Sequence, residues 1–351
     1  MIIFAGPFIG EFGWELSYWH AWLRFIKKEK YPDSKMIVSS YPGREQLYNF
    51  ADHFIPLSDK FIKKNYSQRA YFLDFNNEIE KDKLRTDLLE LYKYLHNKVP
   101  YEDYIQISCY PQKIKTTNFL YRIKKKFDVF NIRKNYISNF NHFAGKEIKE
   151  PFHLNFPFDE KKYFPQYPHL KDQIFEELTP TKQSCEISKE IISKYTKKKH
   201  IFTLFPRKRD QRRIDKNWGE DKWKSFINLL IERYDPLIIL CGTDNGSYFY
   251  NLQNDKNIFN SIGYNNNINL LDLQISLIKR SHISIHGLSG SAILSLLANK
   301  KTFMYGNIQE FRTICIEGNP LNTELFYYTD EELNPSPKKL FNKFINFYEN
   351  E

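Results

Sequence analysis

The sequence predicts an α/β fold of two domains, each a parallel sheet flanked by helices. The chain has 351 residues, whereas a single hydrophobic core rarely grows beyond about 250–300 residues. Short apolar runs alternate with helical patterns in both halves, and this alternation is typical of parallel sheets. Several of the apolar runs end at a glycine or proline, as expected where a strand turns sharply into a helix.

In the first half, strands are predicted at Met1–Ala5, Met36–Ser39 and Tyr104–Cys109. A helix is predicted between the first two strands, because apolar residues recur there at the spacing of one helical face. These residues are Leu16, Trp19, Leu23 and Ile26. The stretch Glu150–Tyr167 is rich in proline and aromatic residues and has weak periodicity. It is therefore predicted to be the crossover between an N-terminal domain, 1–160, and a C-terminal domain, 161–335.

The second half repeats the alternation of strands and helices, and the segment 336–351 is predicted to be a C-terminal helix that packs back. The predicted strands are Ile201–Phe205, Pro236–Cys241, Ile283–Ile285 and Thr302–Tyr305. The predicted helices cover 223–231, Leu270–Ile278, Ala292–Ala298 and Lys338–Tyr348. Ligands of such sheets bind beyond the carboxyl ends of the strands, so the residues that follow each strand are the candidates for function.

Composition narrows the class of protein. The longest apolar runs, such as Leu237–Cys241, are far shorter than the ~20 residues of a membrane span. The apolar N-terminus has no basic leader and is interpreted as a strand rather than a signal peptide. The four cysteines are scattered without a C-x-x-C pair, so neither a disulfide framework nor structural zinc is expected. A cytoplasmic location is expected, with no metal and no cofactor.

The net charge of +10 is suited to an anionic partner. Nucleic acid, an anionic membrane surface touched peripherally and a nucleoside diphosphate all fit this charge. The alternative is a lysine-rich surface whose charges are only solvated, as in the runs Lys124–Lys126 and Lys197–Lys199.

The first candidate site segment lies between the first strand and the first helix. Gly10 and Gly13 allow the backbone to approach a ligand closely, and Glu11 and Glu15 are candidate general bases that could take a proton from an acceptor hydroxyl. The alternative for Glu15 is a structural acid that stabilises the helix dipole in the first turn. His20, on the body of the helix, is expected to be packed.

The second candidate segment follows the strand Ile201–Phe205 and carries five cations in the seven residues 207–213. Guanidinium groups match phosphate oxygens with paired hydrogen bonds. Arg207 and Arg209 lie nearest the end of the strand and are the expected phosphate ligands. The alternative is an exposed basic loop.

The third candidate segment joins a strand to a helix through His286, Gly287, Ser289, Gly290 and Ser291. The glycines permit a tight turn, and the serine hydroxyls and backbone N–H groups can donate to phosphate. His286 is interpreted either as a further phosphate donor or as a packed residue.

Several motifs are missing from the sequence. It contains no G-x-x-x-x-G-K-[ST] loop, no D-x-D triplet, no H-E-x-x-H and no Cys/His cluster. A P-loop kinase, a metal held by a D-x-D motif and a zinc site are therefore not indicated.

Together the three segments resemble the GT-B glycosyltransferases. Residues 213–223 are similar to the K-R-W-P-x-E-x-W segment of bacterial heptosyltransferases, and Ile283–Gly306 to their donor-binding segment, although His286 here precedes Gly287. The first loop, G-E-F-G-W-E-L, is similar to the G-x-[FL]-G-N-Q loop of fucosyltransferases. The resemblance implies two Rossmann-like domains facing across a cleft. It also implies an inverting, metal-independent transfer from a nucleotide sugar such as ADP-heptose or GDP-fucose.

The acceptor implied by this resemblance is a glycan or another saccharide hydroxyl, bound by the N-terminal domain. Three alternatives stay open. They are the same transfer to a modified DNA base, a two-domain nucleotide-sugar epimerase that needs no acceptor, and a non-enzymatic module that binds nucleic acid through its basic surface.

Overall fold

The computed structural model places two compact units, Met1–Ile174 and Phe175–Glu351. The predicted boundary at 160/161, the stretch Glu150–Tyr167 and the residues Cys109 and Cys315 lie outside the described residues. The structure describes 1–64, parts of 87–99, 104–107, 173–195, 197–210, 213–264, 267–311 and 319–349.

The first unit contains a four-stranded parallel sheet with the order β3-β2-β1-β4. Ile3 of β1 lies opposite Met36 of β2 on one side and Ile105 of β4 on the other. Two of the apolar runs predicted as strands, β1 and β2, therefore form the centre of this sheet, and the third, β4, lies at its edge. The strands are β1 (Ile2–Ala5), β2 (Lys35–Ser40), β3 (His53–Pro56) and β4 (Ile105–Ile107).

A helical stretch at 12–30 follows β1 and changes its winding along its length. It is α-helical at Phe12–Trp14 and His20–Phe25, and π-helical at Glu15–Trp19 and Ile26–Lys30. The predicted apolar face is confirmed, because all four of its residues are buried. Wider π turns often occur at functional sites, and this stretch begins directly after Gly10 and Glu11.

The second unit contains a six-stranded parallel sheet with the order β10-β9-β8-β5-β6-β7. When the strands are counted from β5, this is the doubly wound order 3-2-1-4-5-6. The strand order reverses between the neighbours β5 and β8. The strands are β5 (Ile201–Phe205), β6 (Leu237–Leu240), β7 (Ile258–Asn260), β8 (Ile283–His286), β9 (Thr302–Gly306) and β10 (Leu325–Thr329).

Helices flank this second sheet, and side chains cap several of them. Thr181 Oγ1 accepts from the Ser184 N–H, and Asn269 Oδ1 accepts from the Asp272 N–H, which satisfies donors that helix ends leave open. The helices are Lys182–Ser193, Glu220–Tyr234, Leu270–Arg280, Ser291–Leu297, Ile308–Phe311 and Pro337–Glu349.

The C-terminal helix Pro337–Glu349 packs back on the helix Glu220–Tyr234 of its own unit. Phe344 is fully buried there, with its ring 6.2 Å from the ring of Phe226. The predicted α/β fold class, with its parallel sheets, is confirmed. In the part of the chain that the structure describes, no helix is both long and apolar enough to span a membrane.

Candidate functional site

The candidate site of the second unit lies at the carboxyl ends of β5 and β8. These strands are neighbours, and Phe205 at the end of β5 lies opposite His286 at the end of β8. Their rings stack with centroids 4.2 Å apart and planes 15° apart. Because the strand order reverses here, this edge is the switch point at which doubly wound sheets bind ligands.

The basic loop after β5 is fixed by the side-chain amide of Asn217. Asn217 Oδ1 accepts from the Arg207 guanidinium at 2.5 Å and from the Arg209 N–H at 3.0 Å. Its amide nitrogen donates to the carbonyl of Arg209 at 2.7 Å. Arg207 also donates to the carbonyl of Arg213 at 3.0 Å and is only 8% exposed. The fork of Arg207 is thus held in place at the carboxyl end of β5.

Part of the positive charge of this loop is already balanced by acids. Glu310 accepts from Lys216 and, at 3.4 Å, from Arg213. Burial lowers the pKa of Lys216, and Glu310 opposes that shift. Lys208 lies 3.6 Å from Asp210. The predicted pair Arg207 and Arg209 remains nearest the strand end, whereas Arg212, one of the five cations, lies outside the described residues.

His286 is completely buried inside a network of serine hydroxyls. Its Nε2 lies 2.8 Å from Ser284 Oγ and 3.0 Å from Ser295 Oγ, and its Nδ1 lies 3.3 Å from Ser291 Oγ. Burial lowers the pKa of His286 to about 3, so its imidazole is neutral at pH 7. Of the two interpretations of His286, the structure supports the packed residue.

The glycine-serine turn after β8 places its polar groups nearer the surface than His286. Ser289, Gly290 and Ser291 are half-buried, and Ser289 Oγ accepts from the Ser291 N–H at 3.3 Å. Gly287 is buried, and a Cβ there would lie 3.2 Å from Tyr305 Oη and 3.4 Å from Trp223 Cζ2. A larger residue at position 287 would therefore require Tyr305 to shift slightly.

An aromatic cluster supports this turn from below. The ring of Trp218 lies 4.9 Å from the ring of Trp223 and 5.5 Å from the ring of Tyr305. Trp218 Nε1 donates to the carbonyl of Pro335 at 2.8 Å. The cluster therefore joins the helix Glu220–Tyr234, which contains Trp223, to the carboxyl end of β9 directly beneath Gly287.

The loop between β1 and the helical stretch at 12–30 is anchored to β2 by its backbone. Gly6 has φ +126°, and a Cβ there would lie 2.5 Å from the carbonyl oxygen of Ser39, so only glycine is accommodated. The N–H of Phe8 donates to that same carbonyl at 2.9 Å. Glu11 is half-buried, and its backbone is extended just before the helix. Gly10 is buried and Gly13 is half-buried.

Glu15 is completely buried, which sequence reasoning did not anticipate. Its carboxylate accepts from the hydroxyls of Ser40 and Tyr48 and pairs with the Arg44 guanidinium. These contacts differ from those expected of an exposed acid on the helix dipole. His20 is packed as expected, with Nδ1 2.9 Å from the carbonyl of Glu15. Burial, followed by the charge of Arg24, lowers its pKa to about 3.

Comparison with known proteins defines the fold. No protein-family profile matches the chain, and no curated protein matches it in sequence. E. coli ADP-heptose LPS heptosyltransferase II is similar in structure, with a TM-score of 0.56, 11% identity and coverage of 99% of this chain and 98% of that one. A family 9 glycosyltransferase from Veillonella parvula DSM 2008 has a TM-score of 0.53, 10% identity and coverage of 100% and 97%.

The structural likeness to a heptosyltransferase agrees with the resemblance of the second half of the sequence, and it extends over nearly the whole chain. The likeness of the first loop to fucosyltransferases stays a prediction. At 10–11% identity, structural similarity shows the fold. With its two parallel sheets and the doubly wound order of the second, the chain has the fold of the GT-B glycosyltransferases.

Proposed function

We propose that the protein is a glycosyltransferase that moves a sugar from a nucleoside diphosphate to an acceptor hydroxyl. The observation that carries the proposal is the meeting of two phosphate-suited segments on adjacent strands. The Arg207 loop follows β5, the glycine-serine turn follows β8, and the strand order reverses between them. A fixed guanidinium beside a turn with accessible hydroxyls is suited to a diphosphate.

In the proposed donor complex, Arg207 and Arg209 balance the charge of the diphosphate. Ser289, Gly290 and Ser291 offer hydroxyl and backbone donors, and Gly287 lets the chain pass close to the ligand. Gly10 and Gly13 of the first loop stay predicted donor contacts. Charge that develops on the leaving diphosphate is then stabilised by groups that are already in place, so we propose that turnover needs no metal ion.

Glu11 is the proposed general base. An inverting transfer needs a group that takes the acceptor's proton as its oxygen attacks the anomeric carbon. Glu15 is the second sequence candidate, but three donor groups already occupy its buried carboxylate. Glu11 lies just before the helical stretch at 12–30 and is half-buried. Glu11 is therefore the better candidate for contact with an acceptor, and Glu15 for holding the loop.

The proposed acceptor is a saccharide hydroxyl. The sequence-based alternatives differ in what they consume and release. An epimerase changes the sugar of the nucleotide sugar without an acceptor. Transfer to a modified DNA base requires DNA binding that weakens steeply with added salt, because phosphate contacts release counterions. A non-enzymatic module neither releases nucleotide nor changes the sugar.

The test is incubation of the full chain with ADP-, GDP- and UDP-sugars, read as free nucleoside diphosphate. We expect one donor class to release its nucleotide, and Arg207→Ala to remove this activity. Arg233→Ala is a matched control, because Arg233 is an exposed arginine of the same unit that pairs with Glu349. Nucleotide release at the same rate in both variants would contradict the proposed donor site. An altered sugar without any acceptor would identify an epimerase.

A further inference from the structure

We propose that His286 is a positioning residue that carries its ring proton on Nδ1 and thereby turns the hydroxyl hydrogen of Ser291 toward the phosphates of the bound nucleotide. The tautomer follows from the hydrogen bonds around His286. The phosphate ligand rests on the proposed function.

The donor and acceptor roles in this hydrogen-bond network are set at the end formed by Ser281 and Thr203. Ser281 donates its hydroxyl hydrogen to the carbonyl of Ile278 at 2.7 Å, because a carbonyl can only accept. Thr203 Oγ1 lies 3.4 Å from Ser281 Oγ and donates its hydrogen to the nearer Ser284 Oγ at 3.0 Å. Ser284 therefore receives a hydrogen bond from Thr203 and must send its own hydrogen onward, either to His286 Nε2 or to Ser295 Oγ, each 2.8 Å away.

If Nε2 carries no hydrogen, every buried hydroxyl in this group finds an acceptor. Ser284 donates to His286 Nε2, and Ser295 donates to Ser284 Oγ, whose two lone pairs accept from Thr203 and Ser295. The opposite chain, from Ser284 to Ser295 to Nε2, is equally complete. In both chains the imidazole proton is on Nδ1.

If instead Nε2 carries the hydrogen, the described contacts leave one hydroxyl without an acceptor. Ser284 and Ser295 can then donate only to each other, and one of the two hydrogens stays unbonded. Both serines are completely buried, and an unsatisfied buried donor costs about 1–3 kcal/mol. The geometry therefore favours the tautomer with hydrogen on Nδ1.

A proton on Nδ1 of His286 also fixes the direction of the Ser291 hydroxyl. Its Oγ lies 3.3 Å from His286 Nδ1, so it accepts from the ring and its own hydrogen points out of the network. Ser291 is half-buried at the switch point, whereas His286 is completely buried. A hydroxyl fixed as a donor suits a ligand group that only accepts, such as an ionised phosphate. The stacked ring of Phe205 holds the imidazole in the plane that this relay requires.

The tautomer can be measured on the full chain by ¹⁵N NMR of labelled histidine, with His286→Asn used to assign the resonance. We expect a protonated-type nitrogen shift at Nδ1 and an unprotonated type at Nε2, without change between pH 6 and 8. The reverse pattern would overturn the assignment.

The effect on the ligand is tested by calorimetry with ADP, GDP and UDP. Ser291→Ala should weaken binding roughly tenfold or more, as expected for a bond to a charged group. His286→Leu should weaken binding in the wild-type background and cause no further loss in Ser291→Ala, because it acts through that hydroxyl. His286→Asn keeps a side-chain donor toward Ser291 and should recover most of the affinity. Additive losses, or no recovery by asparagine, would overturn the positioning role.

Two controls separate this inference from the proposed function. Ser225 is an exposed serine on the helix Glu220–Tyr234 whose hydroxyl bonds to its own helix, and Ser225→Ala should bind as the wild type does. If the wild-type chain binds none of the three nucleotides, the proposed function fails, whatever the NMR result. If it binds one and Ser291→Ala binds equally well, only the positioning inference fails.

Discussion

Glu15 and Arg44 form an ion pair inside the first unit, with the carboxylate of Glu15 completely buried. The guanidinium carbon of Arg44 lies 4.7 Å from the ring centre of Phe12 and 4.8 Å from that of Tyr41. One arginine therefore joins the start of the helical stretch at 12–30 to the segment that follows β2. The loop that contains Glu11 lies between β1 and this stretch, so the pair fixes its far end.

Removal of Arg44 should destabilise the first unit. Arg44→Met leaves the carboxylate of Glu15 buried without its cation, and breaking a buried pair in this way costs about 3–5 kcal/mol. Urea unfolding followed by circular dichroism measures the change. The control is the double variant Glu15→Gln with Arg44→Met, which removes both charges and should recover part of the loss. A double variant less stable than Arg44→Met alone would contradict the pairing.

Glu11→Gln should lower kcat by ~10²–10⁴, the range for acid–base catalysis. The substitution keeps the shape of the side chain and removes its basicity. Affinity for the nucleoside diphosphate should hardly change, because the charged donor ligands Arg207 and Arg209 belong to the other unit and the contacts predicted for Gly10 and Gly13 are made by the backbone. Glu15→Gln should act on stability instead. Near-normal turnover in Glu11→Gln together with a folded but inactive Glu15→Gln would move the base to Glu15.

Arg207→Ala should weaken binding of the nucleoside diphosphate by ~1.5–3 kcal/mol, the range for hydrogen bonds to charged groups. Arg207→Lys should recover only part of the affinity, because an ammonium cannot reproduce the fork that meets Asn217 and the Arg213 carbonyl. Calorimetry gives both values. Unchanged affinity in both Arg207→Ala and Arg209→Ala would exclude the basic loop as the phosphate site.

Turnover should be insensitive to EDTA. The sequence has no D-x-D triplet to hold a metal. The proposed leaving diphosphate is instead neutralised by Arg207 and Arg209. Activity is measured with and without chelator, followed by addition of Mg²⁺ or Mn²⁺. Loss of activity that either ion restores would contradict the prediction.

Stability should fall as the pH drops below about 6.5, in part because of His286. Its folded-state pKa is about 3, below the ordinary value of ~6.5, so the unfolded chain binds more protons between these values. The stabilisation is complete above about pH 6.5 and is lost as the pH falls toward 3. His286→Asn should flatten the slope of unfolding free energy by ~1.4 kcal/mol per pH unit. Equal slopes in urea unfolding from pH 6.5 to 4.5 would contradict a buried neutral imidazole.

The sequence was sufficient to predict the central strands of the second sheet. Each predicted strand there ends within one residue of the observed one, because continuous apolar runs mark strands that are covered on both faces. The two edge strands of this sheet were not predicted. β10 has half-exposed residues, and β7 is only three residues long, so neither gives a clear pattern.

The helix Lys182–Ser193 was not predicted, because much of its buried face is polar. Two of its buried positions are serines, not large apolar residues. Ser184 bonds to Asp272 at 2.5 Å and Ser188 to Ser276 at 2.7 Å, both on the neighbouring helix Leu270–Arg280. Hydrophobic periodicity cannot reveal a helix that packs through hydroxyl contacts.

The candidate site was predictable in position and not in detail. The Arg207 loop and the turn after His286 could be identified because they follow predicted strands, and ligands of parallel sheets bind at the carboxyl ends of strands. The roles of Asn217 and Arg44 depend on contacts between residues that the sequence separates. Arg44 lies 29 residues from Glu15, and Asn217 lies ten from Arg207. No local pattern marks such partners.

The aromatic cluster beneath Gly287 also supplies a built-in optical signal. Of the five tryptophans of the chain, Trp218 and Trp223 belong to the second unit, and the others lie in the helical stretch at 12–30. Trp223 approaches the Gly287 turn from within the core. Replacement of the three tryptophans at 14, 19 and 22 by phenylalanine would leave an emission that reports on the switch point alone. Nucleotide binding to unlabelled protein could then be followed as a change in its intensity or wavelength.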